Sequence, residues 1–269
     1  MAKRNSVNGP GLNPASCRIC GKPAVDIRSH IIPQFVHKWL KGGEDSFVLA
    51  NHGPHISKRA KYRVREVQDQ FWKRMVFCQD CEDRCEKLET YVATRIDHLS
   101  AYSNKLPHTR TRVVQVLDAR KLASFLISIA VRVDAMRDAF PEFEGFDLGI
   151  DREAAIRSFQ SDDPFKHGFR LIAQVPLFDG KIAAFRALPR MSPGRTGFVV
   201  WVCGRRFILK LPGAKWDDKF IRISQQPPST GLLLTNIDGE GLIEFREFVA
   251  FLRSMAPAEH KQIKPPRQC

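Results

Sequence analysis

Two Cys-x-x-Cys pairs, Cys17/Cys20 and Cys78/Cys81, constrain this 269-residue chain more than any other feature. The first is followed by Gly21, which lets the backbone turn tightly enough to aim two sulfurs at one ion, and the second stands at the start of a helical pattern. Four thiolates make a closed tetrahedral zinc site, which is structural because no coordination position is left for a substrate. Residues 1–16 are polar and lack the apolar segment of a secretory leader, and nothing in the chain approaches the about 20 apolar residues that span a bilayer. The expectation is a soluble cytoplasmic protein with no membrane partner. Disulfides rarely persist in such a compartment, which favours metal binding over stapling or redox chemistry for the paired cysteines. The 57 residues between the pairs exceed what a simple zinc ribbon needs.

Periodicity divides the chain further. Residues 1–15 hold almost nothing to bury and read as a disordered tail. A zinc-binding unit over residues 16–99 ends in an amphipathic helix whose apolar stripe is Cys85, Leu88, Val92, Ile96 and Leu99, with Glu82, Glu86 and Glu89 assigned to another face. Cys85 is read as a core cysteine rather than a fifth ligand. A polar connector follows over residues 100–112, and a second domain is expected over residues 113–255. It opens with a long buried helix over residues 116–140, through Leu117, Leu122, Phe125, Leu126, Ile129 and Val133 and ended by Pro141. Arg132 sits within that helix, where a structural role and an acidic partner are expected. A short helix over 151–160 precedes β-branched and aromatic runs at 169–175, 182–188, 197–203, 206–211 and 220–224, read as antiparallel strands. Gly204-Arg205 is expected to turn the hairpin over 198–211, a last helix to cover 244–254, and residues 256–269 to form a flexible basic tail. Residues 236–247 carry oxygen side chains and a glycine at the spacing of a calcium loop, but no helix pattern enters it, so a turn into the last helix is preferred. The predicted class is α+β: a zinc unit, a helical segment and an antiparallel β-rich C-terminal region.

Between the cysteine pairs stands Ser29-His30-Ile31-Ile32-Pro33, and Phe77-Cys78-Gln79-Asp80-Cys81-Glu82 closes the interval. With these motifs in this order, residues 16–89 resemble the HNH, or His-Me finger, family of zinc-supported nucleases, and within it a bacterial group with a Ser-His-Ile-Ile-Pro signature. The resemblance implies a treble-clef, or ββα-metal, fold: a knuckle, a hairpin whose first strand ends in histidine, then a helix opened by the second pair. It also implies a metal-dependent endonuclease acting on DNA. Phosphodiester hydrolysis needs a base near neutral pH and a divalent cation for the charge on phosphate. His30 matches the base, Asn51 is the candidate for the family's hairpin asparagine, and Glu82 and Glu86 are candidate ligands for Mg²⁺ or Mn²⁺. Ser29 and Glu82 depart from the family pattern, which often has an acidic residue or histidine before the base and histidine on the helix. Those departures leave open a zinc-stabilised module that binds nucleic acid without cleaving it.

Charge points the same way. The chain has 43 Lys+Arg against 29 Asp+Glu, and residues 1–75 hold 14 of the cations against 5 of the acids. Lys58, Arg59, Lys61, Arg63, Arg65, Lys73 and Arg74 are interleaved with Tyr62, Phe71 and Trp72. Such a stretch can neutralise phosphates and stack on bases; its alternation over 61–65 also suits a strand with one solvated face. No Gly-rich phosphate loop, GxSxG elbow or HExxH helix is present, which disfavours an NTPase, a serine hydrolase or a zinc protease. The C-terminal region is left as a candidate surface for a protein partner.

Overall fold

The computed structural model describes residues 16–24, 29–41, 47–50, 64–67, 73–74, 76–99, 111–115, 117–140, 143, 145–178, 181–182, 189–215, 232–242 and 246. The fold is α+β. A cysteine knuckle leads into strand β1 (Ser29–His30), helix α1 (Gln34–Lys41), strands β2 (Phe47–Ala50), β3 (Val64–Val67) and β4 (Lys73–Arg74), and helix α2 (Gln79–Ala93). Strand β5 (Thr111–Val114) and helices α3 (Ala119–Met136) and α4 (Arg152–Ser161) follow. The chain then forms β6 (Arg170–Phe178), β7 (Lys181–Ile182), β8 (Arg190–Met191), β9 (Gly197–Val202), β10 (Arg205–Lys210) and β11 (Leu232–Asp238).

The stripe expected on α2 is the buried one: Cys85, Leu88, Val92, Ile96 and Leu99 are all in the core. Tyr91 accompanies them, accepting the Asp118 N–H at 2.8 Å. Helix α3 is covered on nearly every side, with fifteen of its residues buried, and so it is apolar almost throughout rather than striped. It begins three residues later than periodicity predicts. Asp118 is its N-cap, and the carboxylate accepts from the N–H groups of Arg120 and Lys121 at 2.7 and 3.3 Å, satisfying donors that a helix start leaves open.

Seven strands form one mixed sheet in the order β5-β11-β6-β10-β9-β8, with β7 also paired to β6. Leu171, Ala173, Val175 and Leu177 of β6, Phe207 and Leu209 of β10, and Phe198, Val200 and Val202 of β9 project alternately into the core shared with α2 and α3. That core is continuous from Cys17 in the knuckle to Leu234 in β11.

Three sequence expectations need correction. The sheet is not wholly antiparallel, because β11 runs parallel to β6 in register Leu234 with Ala173. The parallel partners are far apart in the chain: the 53 residues between β6 and β11, which include β7 to β10, exceed the dozen or more that a parallel connection needs. Strand β5 lies partly within residues assigned to a connector; four residues with Val113 half exposed leave little periodic signal. The β9–β10 turn is centred on Cys203-Gly204 rather than Gly204-Arg205, since Val202 pairs with Arg205. Both central residues have positive φ, 48° and 72°, the geometry whose twist matches a two-residue hairpin.

Asn236 and Asp238 belong to β11, and the Glu240 N–H bonds to Asp238 Oδ1 at 2.9 Å, so a strand and a turn occupy the calcium-like spacing. The Arg246 N–H bonds back to the Leu242 carbonyl, while the rest of the expected last helix lies outside the described residues. So do the runs at 183–188 and 220–224, Pro141 and both tails.

Candidate metal centre

The first cysteine pair is shaped by backbone hydrogen bonds. The Cys17 N–H donates to the Lys22 carbonyl at 2.6 Å, and the Gly21 N–H donates back to the Cys17 carbonyl at 3.0 Å. Gly21 adopts φ 75°, a left-handed conformation that a side chain would strain, and Ser16 and Pro23 close the knuckle with a β-bridge. The Arg18 N–H then bonds to the Val76 carbonyl at 2.9 Å, fixing the knuckle against the approach to the second pair.

Cys78 is the N-cap of α2. Its backbone is extended, its carbonyl accepts the Glu82 N–H at 3.0 Å, and its side chain makes no capping bond. The sulfur instead faces the knuckle. Cys20 Sγ lies 3.4 Å from Cys78 Sγ and 3.8 Å from Cys81 Sγ, and all four sulfurs of Cys17, Cys20, Cys78 and Cys81 fall within 4.8 Å of one another. A disulfide would need about 2.05 Å. A tetrahedron with metal–sulfur bonds of about 2.3 Å has edges near 3.8 Å, so the spacing and the all-sulfur donor set fit one zinc ion. Cys17, Cys78 and Cys81 are buried, and Cys20 is at the surface.

The thiols differ in acidity. Burial works against ionisation of Cys17, but the backbone around Cys20, Cys78 and Ile19 outweighs it and lowers its pKa; the Ile19 N–H lies 3.4 Å from the sulfur. Burial raises Cys20, and burial together with the neighbouring Cys17 raises Cys81. The open N–H groups at the start of α2 add positive potential to the sulfur cluster. Cys85, one turn further on, is fully buried and outside the cluster; burial pushes its thiol up to about 12.

His30, half-buried, ends β1 directly opposite Lys73 of β4, with Ser29 opposite Arg74. This pairing brings the Ser-His motif and the end of the basic stretch onto one two-stranded ribbon just before Cys78. Arg65 pairs with Leu49 in the β2–β3 ladder. Asn51, Lys58, Arg59, Lys61 and Arg63 lie outside the described residues.

Glu82 and Glu86 differ in setting. Glu86 is exposed, whereas Glu82 is largely buried, with a carboxylate oxygen 3.9 Å from Arg132 Nη2. Arg132 Nη1 donates to Glu89 Oε1 at 2.6 Å, and the guanidinium sits 5.7 Å from the centre of the Phe77 ring. The partner expected for Arg132 is therefore a pair of acids on α2, the helix that carries Cys81. Burial works against the charge on Arg132, but Cys85, Glu89 and Glu82 outweigh it and raise its pKa. Glu82 and Glu89 lie three and four residues on either side of buried Cys85, a spacing that places them beside the apolar stripe and could have revealed their inward orientation.

Among the described residues, the four cysteines are the only group of three or more potential metal ligands drawn together. No described helix is long and apolar enough to cross a membrane. No family model matches the chain, and no curated protein or solved structure matches it.

Proposed function

We propose that the N-terminal unit is a treble-clef zinc module of the HNH type acting as a metal-dependent endonuclease on DNA. The observation that carries this reading is the order of parts around the sulfur cluster. A knuckle holds the first pair, a short antiparallel ribbon carries His30, and the helix after the ribbon opens with the second pair. Zinc, held by Cys17, Cys20, Cys78 and Cys81, would fix the ribbon relative to α2 and supply no chemistry to the reaction. His30 would accept the proton of the attacking water, with Asn51 assisting from the hairpin. Glu82 and Glu86 would hold a Mg²⁺ or Mn²⁺ ion, which when bound stabilises negative charge on the phosphate. Lys58, Arg59, Lys61, Arg63, Arg65, Lys73 and Arg74 would bind the backbone; the His30–Lys73 register supports placing that surface beside the base.

The Arg132–Glu82 approach favours a second reading, a zinc-stabilised module that binds nucleic acid, or a protein partner, without cleaving it. A carboxylate committed to a buried guanidinium has less negative charge to offer a cation. Plasmid nicking decides between the two. Wild type and His30→Ala, matched for zinc content and fold, are incubated with Mg²⁺, Mn²⁺ or EDTA. Cleavage that requires added metal and is lost in the variant supports the nuclease; a wild type that binds DNA but cuts neither single nor double strands refutes it.

A further inference from the structure

Between the zinc knuckle and the C-terminal end of α3 lies a cavity of about 180 Å³, lined by Arg18, Val131, Asp134, Ala135, Arg137, Asp138 and Arg152. Five of these seven side chains are formally charged. Drug-sized ligands occupy pockets of about 300–1,000 Å³ with mostly apolar walls, and this cavity is both smaller and more polar. Its size and its charged lining suit a small charged group.

The charges around it are not equally available. Asp134 is 3% exposed at its side chain, and both its oxygens are committed: Oδ1 accepts the Leu148 N–H at 2.9 Å, and Oδ2 accepts Arg152 Nε at 2.6 Å. Arg137 is tied to Asp147 at 2.6 Å, and its Nε lies 3.6 Å from Asp138, which turns 80% of its side chain to solvent. Arg152 meets Asp134 through Nε and remains 48% exposed. Arg18, between two zinc ligands, makes no ion pair among the described residues. The two acids of the wall are thus matched by Arg137 and Arg152, and the unmatched charge is the guanidinium of Arg18.

We propose that this cavity binds a phosphate group, with Arg18 and Arg152 as its two principal contacts. Guanidinium groups match phosphate oxygens with paired N–H donors, which a water-filled or cation-binding cavity would not require. The buried Asp134 holds Arg152 through its Nε, and the Arg18 N–H bond to the Val76 carbonyl fixes the backbone of Arg18, so each side of the site is held by contacts of its own. His30 is not among the residues that line the cavity; only the source assigned to the phosphate, a polynucleotide backbone, rests on the nucleic-acid reading above.

The test uses the full zinc-loaded chain. Wild type, Arg18→Gln and Arg18→Lys, matched for zinc content and melting temperature, are titrated with inorganic phosphate and pyrophosphate by calorimetry. Their affinity for a DNA duplex is then measured across a salt series. Phosphate affinity should fall at least tenfold in Arg18→Gln and recover in part in Arg18→Lys. The slope of log affinity against log salt should shrink by about 0.9, the loss of one neutralised duplex phosphate. Loss of phosphate binding with an unchanged slope keeps the site but overturns the polynucleotide source in favour of a free phosphate compound. Equal phosphate affinity in wild type and Arg18→Gln, or none in either, overturns the site. His30→Ala, which should not alter phosphate affinity, separates this outcome from failure of the nuclease reading.

Discussion

Replacing Arg132 by methionine removes the one cation that faces Glu82 and Glu89 from α3, while keeping most of the side chain's apolar length. The Arg132 side chain is 3% exposed, Glu82 is 13% exposed and Glu89 is 23% exposed, so water does little to replace the lost partner. Breaking a buried pair from one side costs about 3–5 kcal/mol, because the remaining charge stays in the low-dielectric interior. The partial opening of Glu89 to solvent puts the expected loss near the lower end, about 3 kcal/mol. For a chain of this length each kcal/mol moves the midpoint by roughly 2–4 °C, giving a fall of about 6–12 °C. Urea and thermal unfolding of zinc-loaded protein measure it. The double variant Arg132→Met with Glu89→Gln should recover about 1–2 kcal/mol relative to the sum of the single changes, because it removes both ends of the 2.6 Å contact. A single variant within 1 kcal/mol of wild type, or strictly additive changes, would refute the view that this pair fastens α2 to α3.

Purified protein should carry one zinc per chain by elemental analysis, lose it in Cys78→Ser together with the tertiary signal of the N-terminal unit, and retain it in Cys85→Ala. Asp147 provides a pH test. Burial opposes its ionisation, but the Gly149 N–H, Arg195 and Arg137 outweigh that and depress its folded pKa. A depressed pKa contributes stability above the unfolded value of about 3.9, lost as pH falls through the folded value. Asp147→Asn should therefore lower stability at neutral pH and flatten the decline below about pH 4, read from denaturation midpoints across an acid series; parallel wild-type and variant profiles would contradict it.

The two features most visible in the sequence, the paired cysteines and the stripe from Cys85 to Leu99, are both determined by local spacing, and both appear in the structure, as a four-sulfur cluster able to hold a metal and as a buried helix face. What spacing cannot reveal is which distant segments meet. The parallel pairing of β11 with β6 depends on a crossover, and four-residue β5 is a strand because β11 lies beside it. Strands β9 and β10 are buried on both faces; the apolar runs at 198–202 and 207–209 signal that burial without indicating their neighbours, and the buried Arg205 and Lys210 at the ends of β10 give no such signal. The hairpin turn shows a subtler limit. Glycine supplies positive φ at the second central position, but the register that also places Cys203 there is set by pairing along the whole ladder from Arg205 to Lys210.

The same distinction governs the site. Two acids seven residues apart on α2 and a single arginine on α3 each look like ordinary helix residues in their own segments. Their meaning comes from the packing of α2 on α3, which joins the helix carrying Cys81 to the core beneath the sheet. Arg84 extends the connection from another side, donating to the Gln160 carbonyl at 2.9 Å and pairing with Asp162 at 2.6 Å. The Gln160 side chain in turn donates to the Ile19 carbonyl inside the knuckle at 3.4 Å. Polar contacts thus tie both parts of the cysteine cluster, the knuckle and the N-terminal half of α2, to helices of the C-terminal region. If zinc removal loosened the knuckle and α2 alone, amide exchange would rise only there. The shared contacts instead require that protection in α3 and α4 fall with it, and exchange confined to residues 16–99 would show that the two regions are energetically separate.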